Sequence, residues 1–444
     1  MNFIPAQNLL WLAFGAVFLA VLAGPLPELA PVWLLVCGGV GLAALADLAA
    51  SLIRTRPPVP SAPPVVRFTK DRAGAVPVTF ANPGSRAQRI RFGLGLPATF
   101  ESPDEEVWVD LPAGARHARI DWRCTPRRRG RQAGLLACTE TGSAFGLWRL
   151  RARAVLPCEL RVYPNLFAER RQLAALFLAR GKNGAVVQRM VGRGREFEKL
   201  RDYLPGDGYD EIHWKATAKR GRPVTKVFQT ERTQEIYVVL DVSRLSGRPV
   251  VHEGITETAL ERCLMAALVL MLAAERQGDR FGLAAHDDRV RLFLRAGRGA
   301  GHYAACREAA LTLQPSDSTP DIAEIVRYLR TNLRRRALLF FLTDLTDPVL
   351  AEDFMRHVRV LSRQHLVFVC QLSAPGVAPL FAGAEAAGDA EVYARLAGHV
   401  RWSETRTLAR QLKPLGVTAA LLENETMAAQ LVTQYLQVKR RQAL

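Results

Sequence analysis

The sequence predicts a multidomain protein built from an N-terminal transmembrane helical hairpin, a β-sandwich domain and a doubly wound α/β domain. Three observations predict this fold class. Two long apolar stretches come first, short alternating segments separated by turns follow, and uniformly apolar strands separated by amphipathic helices fill the second half. A chain of 444 residues also has the length of two or three domains. The predicted boundaries are residues 1–56, 57–165, 166–232 for a connecting segment, and 233–444.

The two apolar stretches run from about residue 9 to 22 and from about residue 31 to 53. The second is long enough to cross a bilayer, with its one charge, Asp47, near the end, and the first is long enough with its flanks. A cleaved signal peptide is disfavoured, because no positive segment precedes the first stretch and another apolar stretch follows. Arg54 and Arg56 come directly after the second stretch, so the positive-inside rule places the rest of the chain in the cytoplasm. The sequence thus predicts a multi-pass protein of the inner (plasma) membrane.

The chain is strongly basic, with a formal net charge of +18 and a pI near 10.2. This charge points to an anionic neighbour, which either membrane lipid or nucleic acid provides. A basic cluster at residues 127–131 is interpreted as a solvated hairpin tip or lipid-facing loop in preference to a nucleic-acid patch, so no nucleic-acid partner is expected. The seven cysteines are scattered without a C-x-x-C pair or zinc spacing, which favours buried thiols in a reduced compartment.

A β-sandwich is predicted after a proline-rich tether at residues 55–64. Period-two runs then recur at short intervals, separated by Asn-Pro-Gly and Pro-Ala-Gly turns. They lie at residues 78–80, 90–94, 107–111, 118–122, 133–137 and 160–163. This spacing is typical of a small antiparallel β-sandwich, and nothing in it indicates catalysis.

The second half alternates helices with uniformly apolar strands. Strands are predicted near residues 236–241, 280–285, 289–294, 337–343, 365–371 and 417–422. Helices are predicted near residues 255–276, 300–313, 321–335, 348–363, 390–413 and 425–440, with one more short helix at 167–180. Strands without alternation indicate a sheet covered on both faces, hence a doubly wound fold. The apolar run 263–274 is too short to cross a membrane and indicates a central buried helix.

Ligands of an open parallel sheet lie beyond the carboxyl ends of its strands. The oxygen-bearing residues predicted there are Asp241, Ser243, Thr319 and Asp344, a set that suits Mg²⁺. Each also has a structural interpretation. Asp241 and Ser243 can close a turn, and the stretch 318–321 is an ordinary helix start with a hydroxyl cap and a proline at the first position.

Residues 191–231 concentrate ionic residues, aromatics and turn formers between the two domains. Such a composition is typical of a specific surface, either a partner-binding hot spot or an ion-pair lattice that docks one domain on the other. The candidate residues are Arg195, Glu196, Arg201, Tyr203, Asp207, Trp214, Lys215 and Glu231.

Enzymatic interpretations find little support. Gly192-Arg-Gly194 lacks the third glycine of a dinucleotide loop, and no phosphate-binding G-x-x-x-x-G-K-[ST] occurs. His213 and His286 have no identifiable nucleophile with them. No catalytic constellation is therefore expected.

Two resemblances add to this interpretation. Asp241-Val-Ser243, then Thr319, then Thr343-Asp344, resembles the metal-ion-dependent adhesion site of von Willebrand factor type A domains. That motif is D-x-S-x-S, and here Leu245 stands at the second serine, with Ser246 one residue late. The resemblance implies a type A-like domain whose metal site lacks one ligand.

The connecting segment resembles the signature of the domain-of-unknown-function-fifty-eight family of membrane-anchored bacterial proteins. The matching motifs are Arg195-Glu-Phe, Arg201-Asp-Tyr-Leu-Pro-Gly-Asp207, Ile212-His-Trp-Lys-Ala-Thr-Ala-Lys219 and Phe228-x-x-Glu231, together with Arg129-Gly130 and Phe145-Gly-Leu-Trp148. Many members carry arginine where this chain has Asp210. Members are commonly encoded near MoxR-type AAA+ ATPases and transglutaminase-like membrane proteins, which implies an accessory or assembly role.

We therefore expect a non-enzymatic, membrane-anchored scaffold that engages a protein partner, a MoxR-type AAA+ ATPase or an envelope protein, with Mg²⁺ at a degenerate site as its one cofactor. The alternative is a basic membrane protein that binds nucleic acid or anionic lipid.

Overall fold

The computed structural model describes residues 2–23, 30–54, 58–81, 87–114, 117–167, 171, 173–174, 191–204, 208–209, 212–229, 234–252, 254–382 and 388–440. The chain divides into two compact units, Met1–Asn165 and Leu166–Leu444. The helix predicted at residues 167–180 lies largely outside the described residues.

The first unit begins with strand β1 (Asn2–Pro5) and two apolar helices, α1 (Gln7–Ala23) and α2 (Ala30–Arg54). Among the described residues, the stretch Ala30–Leu52 is long and apolar enough to cross a membrane, whereas Gln7–Leu22 is a shorter apolar helix. The structure thus bears out one spanning helix, and the predicted two-span hairpin remains a prediction.

Two β-sheets follow in the same unit. Their strands are β2 (Val59–Ser61), β3 (Val65–Thr69), β4 (Gly74–Ala81), β5 (Gln88–Gly95), β6 (Phe100–Glu101), β7 (Val107–Leu111), β8 (His117–Pro126), β9 (Gly130–Gly142) and β10 (Trp148–Tyr163). One sheet has the order β1-β10-β9-β5-β7, with β3 paired to β10, and the other has the order β2-β4-β8-β6. The sequence prediction of these strands rested on alternation, and their inward residues are indeed buried.

The two sheets enclose one aromatic core. Phe92 of one sheet meets Phe80 and Trp122 of the other edge to face, with ring centroids 4.9 and 5.5 Å apart. This arrangement aligns ring edges with ring faces and adds to the free energy of area burial. The predicted β-sandwich is therefore a sandwich with a continuous core.

Arg127, Arg128 and Arg131 of the basic cluster are exposed, as predicted for a solvated tip, but the cluster connects strands of two different sheets and is not a hairpin turn. Arg127 forms ion pairs with Asp71 (3.2 Å) and Glu101 (2.8 Å), and Arg129 is buried. Acidic residues of the same domain thus pair with Arg127, and Arg129 lies in the domain interior. The local sequence does not reveal these tertiary contacts.

The second unit opens with the hairpin β11 (Val191–Asp202) and β12 (Val224–Gln229), with helix α3 (Trp214–Arg220) between them. Further strands are β13 (Glu235–Asp241), β14 (Pro249–His252), β15 (Ile255–Thr258), β16 (Arg280–His286), β17 (Val290–Gly297), β18 (Ala337–Leu342), β19 (Leu366–Leu372) and β20 (Val417–Leu422). The helices are α4 (Ala259–Arg276), α5 (Ala300–Thr312), α6 (Ile322–Asn332), α7 (Pro348–Ser362), α8 (Asp389–Leu412) and α9 (Met427–Arg440).

The central sheet of this unit has the order β17-β16-β13-β18-β19-β20, and every pairing except β16–β17 is parallel. Its two faces carry separate cores. Ile236 and Val238 of β13 pack in one core with α4 and α9, and Tyr237 and Val239 pack in the other with α6 and α7. Because both faces are covered, the strands show no alternation, and the predicted doubly wound α/β fold is confirmed.

One predicted helix start and one predicted helix cap are wrong. Helix α4 begins at Ala259 and not near residue 255, because Thr258 caps it by accepting a hydrogen bond from the Glu261 N–H, and residues 255–258 pair in a short hairpin with β14. Helix α6 is capped by Asp321, whose carboxylate accepts from the Glu324 N–H at 2.9 Å. The predicted hydroxyl cap at 318–319 and the proline at the first helical position do not occur, since Pro320 precedes the cap.

Candidate functional site

The signature segment presents a short capped helix. His213 caps α3 through Nδ1, which accepts from the Ala216 N–H at 3.0 Å. Gly221 ends the helix in the left-handed conformation (φ 68°), which a glycine adopts without steric cost, and its N–H donates to the Thr217 carbonyl. The Thr217 hydroxyl accepts from the Val224 N–H at 3.0 Å and ties the helix to β12. Helix α3 is thereby held at both ends.

Trp214 is the first residue of this helix, and 67% of it is exposed. Lys215 next to it is also exposed, whereas Ile212 and Val224 beneath are buried. A large aromatic ring in water is unfavourable unless a partner covers it, and Trp beside cations is the usual composition of an interface hot spot. The structure therefore presents Trp214 and Lys215 together on one surface.

The structure describes the other predicted residues of the signature segment only in part. Arg195 and Glu196 lie in β11, and only their backbone is described. The Arg201 guanidinium donates to the Asp202 carbonyl (3.2 Å), and the Tyr203 N–H donates to the Pro223 carbonyl (3.0 Å). Asp207, Glu231 and Asp210 lie outside the described residues. The segment before the turn is therefore an extended strand.

The docking alternative rests on ion pairs. One described pair joins Arg222 to Asp202 at 3.1 Å between largely exposed side chains. Exposed pairs contribute about 0–1 kcal/mol each. This pair holds the hairpin ends together and adds little to a domain-docking lattice.

A second candidate site lies at the carboxyl edge of the central sheet. The Asp241 carboxylate accepts from the Ser243 N–H at 2.8 Å and from the Thr343 hydroxyl at 2.9 Å, and all three residues are buried. Asp241 and Asp344 line the same small cavity of about 20 Å³, which has room for about one water molecule. The sheet order brings together residues that are about 100 positions apart in sequence.

The cation in this cavity is an arginine. Arg248 pairs with Asp344 through Nη1 and Oδ2 at 2.5 Å, and its Nη2 donates to the Leu372 carbonyl at 3.1 Å. The other Asp344 oxygen accepts from the Thr346 N–H at 3.0 Å. Sequence reasoning missed Arg248, because nothing local distinguishes it from the other arginines of this basic chain.

The predicted metal ligands do not form one set. The Ser243 hydroxyl accepts from the Leu245 N–H at 3.4 Å, and Thr319 is exposed and does not line the cavity. Both carboxylates already have donors, and among the described residues no group of three or more His, Cys, Asp or Glu side chains converges. The residues present therefore do not fit a resident Mg²⁺, which needs about six oxygen ligands.

Two buried groups lie beside Asp241 on the neighbouring strand. His286 pairs with Asp241 in the sheet register, is buried, and has no hydrogen-bond partner for either ring nitrogen within the described residues. Burial lowers its pKa below the ordinary value of 6.5. Burial acts to raise the pKa of Asp287, but hydrogen bonds, including those from Arg291 at 2.6 and 2.7 Å, outweigh it and lower the pKa to about 2.

The free energy of unfolding of the full chain is expected to fall as the pH drops below about 6.5. His286 and His365 are both buried with lowered pKa values, so the unfolded chain binds more protons than the folded chain in that range. Their contribution is complete above pH 6.5 and is lost on acidification. Urea unfolding followed by tryptophan fluorescence at several pH values measures this slope.

The double variant His286→Gln, His365→Gln is expected to flatten that slope, and the exposed-residue control His117→Gln is expected to leave it unchanged. An unchanged slope in the double variant would contradict the assignment of neutral, buried imidazoles.

Comparison with known proteins gives matches over the second half of the chain. A family model described as "Protein of unknown function DUF58" matches residues 199–400. The uncharacterized protein Rv1480 of Mycobacterium tuberculosis (strain ATCC 25618 / H37Rv) is 25% identical over 188 residues, which are 41% of this chain and 56% of that protein. The chain thus matches little more than half the length of this curated relative.

Solved structures of low identity also match. The conserved hypothetical protein BatB from Bacteroides thetaiotaomicron is 14% identical, covering 47% of this chain and 99% of that chain with a TM-score of 0.31. The SpRpn10 VWA domain is 9% identical, covering 46% of this chain and 95% of that chain with a TM-score of 0.27.

Proposed function

From the premise that residues 199–400 belong to the DUF58 family, we propose that this chain is a membrane-anchored, non-enzymatic scaffold that binds a protein partner through α3. The observation that carries the proposal is Trp214, an exposed tryptophan on a helix capped at both ends. A rigid aromatic side chain loses little conformational entropy when a partner covers it, which favours tight binding.

Membrane anchoring by a two-helix hairpin has support from strand pairing. Strand β1 precedes α1 and pairs antiparallel with β10, which follows α2 in the chain. The end of α2 is bonded to the loop before β10 and to Trp148 of β10, so both ends of the apolar segment meet this sheet and lie on one side of a bilayer. The Trp33 indole N–H donates to the Ala16 carbonyl at 3.0 Å and joins the helices. With Arg54 at the end of α2 and Arg56 after it, the positive-inside rule places that side in the cytoplasm.

A scaffold role also agrees with the sheet-edge cavity. Asp241 and Asp344 are engaged by the chain's own donors, which favours a structural role for both carboxylates. Cys263, which lines the cavity, is a thiol whose pKa burial raises to about 12, so it is protonated at neutral pH. We infer that these side chains stabilise the carboxyl edge of the central sheet and are not catalytic residues.

A protein partner is favoured over nucleic acid. Nucleic-acid binding relies on unpaired cations along a groove, whereas Arg127 and Arg131 are engaged by acidic residues of their own domain. Among protein partners we propose a MoxR-type AAA+ ATPase, because members of the resembled family are commonly encoded near such ATPases.

The Trp214→Ala variant is expected to bind the MoxR-type ATPase encoded by the same genome at least roughly tenfold more weakly than the wild-type chain, the loss typical of a hot-spot tryptophan. Biolayer interferometry between the full-length chain in detergent and the purified ATPase measures the Kd. Trp108→Ala, at another exposed tryptophan, is the matched control and is expected to keep the wild-type Kd.

Absence of binding by the wild-type chain would refute the ATPase as partner. Equal Kd values for the wild-type chain and Trp214→Ala would refute α3 as the contact surface.

A further inference from the structure

Residues 143–148, here the junction loop, connect β9 to β10 and are fastened to the last turns of α2. Asp47 of α2 is fully buried, and its carboxylate accepts hydrogen bonds from the Phe145 N–H at 2.8 Å, the Leu147 N–H at 3.0 Å and the Ser143 hydroxyl at 2.5 Å. A carboxylate in an apolar helix is costly unless donors surround it, and the junction loop supplies three. Asp47, the one charged residue of the spanning stretch, thus joins α2 to the β-sandwich through hydrogen bonds.

Two further hydrogen bonds strengthen this tie from α2. The Trp148 indole N–H donates to the Ala44 carbonyl at 2.9 Å, and the Ala144 N–H donates to the Ser51 hydroxyl at 3.0 Å. The contacts therefore extend over two turns of the helix, which fixes the depth of the loop along the helix axis.

The start of α1 meets the same loop. The Ala6 N–H donates to the Leu147 carbonyl at 2.8 Å, and the Asn8 side-chain amide lies 3.5 Å from the Gly146 carbonyl. Both ends of the apolar hairpin thus converge on the junction loop, within one compact unit.

The depth of the loop follows from the position of Asp47. The apolar stretch ends at Leu52, five residues after Asp47, and a helix rises 1.5 Å per residue, so the bonded atoms of the loop lie about 7.5 Å inside the end of the stretch. The apolar residues of α1 begin at the same level, because Ala6 and Asn8 contact the junction loop, so in a bilayer the loop lies at the boundary between headgroups and acyl chains.

Phe145 lies in this loop and is 67% exposed. A single exposed apolar side chain is ordinary on a protein surface, but the backbone of this one is hydrogen-bonded to Asp47 within the apolar helix α2. We propose that the junction loop is inserted into the bilayer interface, with the Phe145 ring at the acyl-chain boundary and the lipid bilayer as its partner. Aromatic side chains favour this depth.

This inference rests on the proposed membrane anchoring and adds a second contact to it. The sandwich then stands on the membrane through a fixed loop, and Asp47 sets its orientation. Helix α2 and the inserted loop together restrict the orientation of the first unit on the membrane more than a single flexible connection after Arg54 would.

Photo-crosslinking tests the depth. A photoreactive phenylalanine analogue, p-benzoyl-phenylalanine, replaces Phe145 in the full-length chain, which is reconstituted in vesicles of phosphatidylcholine and phosphatidylglycerol. Mass spectrometry is expected to find lipid adducts at position 145. The same analogue at Val155, 71% exposed and seven residues along β10 from Trp148, is the control. At about 3.3 Å per residue it lies about 23 Å away, and no adduct is expected there.

Two results would overturn the inference, and they are distinguishable. If positions 145 and 155 give equal adducts or none while the chain resists alkaline carbonate extraction, the junction loop does not enter the bilayer. The membrane anchoring would still hold in that case. Complete extraction of the chain by carbonate would refute the anchoring itself.

Discussion

Replacing Arg248 with alanine is expected to destabilise the chain and to make its stability depend on divalent cations, which the wild-type chain does not need. The guanidinium is the cation that faces Asp344 in the cavity it shares with Asp241. Its removal leaves carboxylates close together in a confined space, and two such groups repel each other when both are ionised. The expected loss is about 2 kcal/mol, between the values for exposed and for buried ion pairs.

The same change opens a site for a hard cation. Without the arginine, the oxygens of Asp241 and Asp344 face a cavity that also contacts Thr343. Oxygen ligands of this kind bind Mg²⁺ or Mn²⁺, and a cation that binds only the folded state raises the Tm. In the wild-type chain the Arg248 guanidinium is the cation that pairs with Asp344, so neither Mn²⁺ nor EDTA is expected to shift the Tm.

Thermal unfolding of the full-length chain in detergent, with either Mn²⁺ or EDTA, measures both effects. Arg244→Ala, at an exposed arginine four residues earlier, is the matched control and is expected to behave like the wild-type chain. Adding Asp241→Ala to the Arg248→Ala variant is expected to abolish the response to Mn²⁺. A wild-type Tm that rises with Mn²⁺ would show that a metal, and not Arg248, is the native cation.

Replacing Asp279 with alanine is expected to cost about 3–5 kcal/mol, the largest stability loss predicted for this chain, because it breaks a buried charged network. Asp279 is fully buried and accepts from the Lys439 ammonium at 2.7 Å, from the Tyr435 hydroxyl and from the Gln234 N–H at 3.1 Å. Burial raises the pKa of Tyr435, and the Asp279 carboxylate raises it further, so this hydroxyl remains a donor at any pH of interest. The network joins helix α9 to the start of β16.

The variant leaves the buried Tyr435 hydroxyl without its acceptor and removes one acceptor each from the Gln234 N–H and from Lys439, which keeps the Gln277 carbonyl at 3.1 Å; an unsatisfied buried group costs about 1–3 kcal/mol. Urea unfolding followed by circular dichroism measures the change. Asp317→Ala, at an exposed aspartate, is the control and is expected to stay within about 0.5 kcal/mol of the wild-type chain. Tyr435→Phe, which removes one of the three bonds, is expected to cost about 1 kcal/mol.

A loss below about 1 kcal/mol for Asp279→Ala, similar to that of an exposed substitution, would show that the network does not hold α9. A large loss for Asp279→Ala together with none for Tyr435→Phe would assign the stabilisation to the bonds from Lys439 and the Gln234 N–H.

The elements of the α/β unit were largely predictable from periodicity. The strand predicted at 337–343 is β18, whose six residues are all buried, and the strand predicted at 417–422 has those bounds in the structure. The wrong start of α4 and the wrong cap of α6 have a local cause, since Thr258 and Asp321 provide the capping side chains. Capping side chains compete within a few residues, and their hydrogen bonds decide the result.

The candidate sites were predictable only in part. Asp241 and Asp344 follow their strands at the sheet edge as expected, and both line one cavity, whereas Thr319 lies outside it. The exposed Trp214 was expected from its composition. The role of Arg248 was not, because an ion pair across 96 positions leaves no local pattern.

The amino-acid sequence by itself determined the order of the parts, the two-sided burial of the central sheet and the apolar length of α2. These properties follow from hydrophobicity and periodicity along short stretches. Only the tertiary structure decided that Arg248 supplies the cation at the sheet edge, that Asp279 joins α9 to the sheet, and that Asp47 ties the apolar hairpin to the junction loop. Each of these contacts joins groups about 100 or more positions apart in sequence. Whether a buried charge has a partner therefore depends on the order of the strands and on the turns of the chain, which the local sequence does not show.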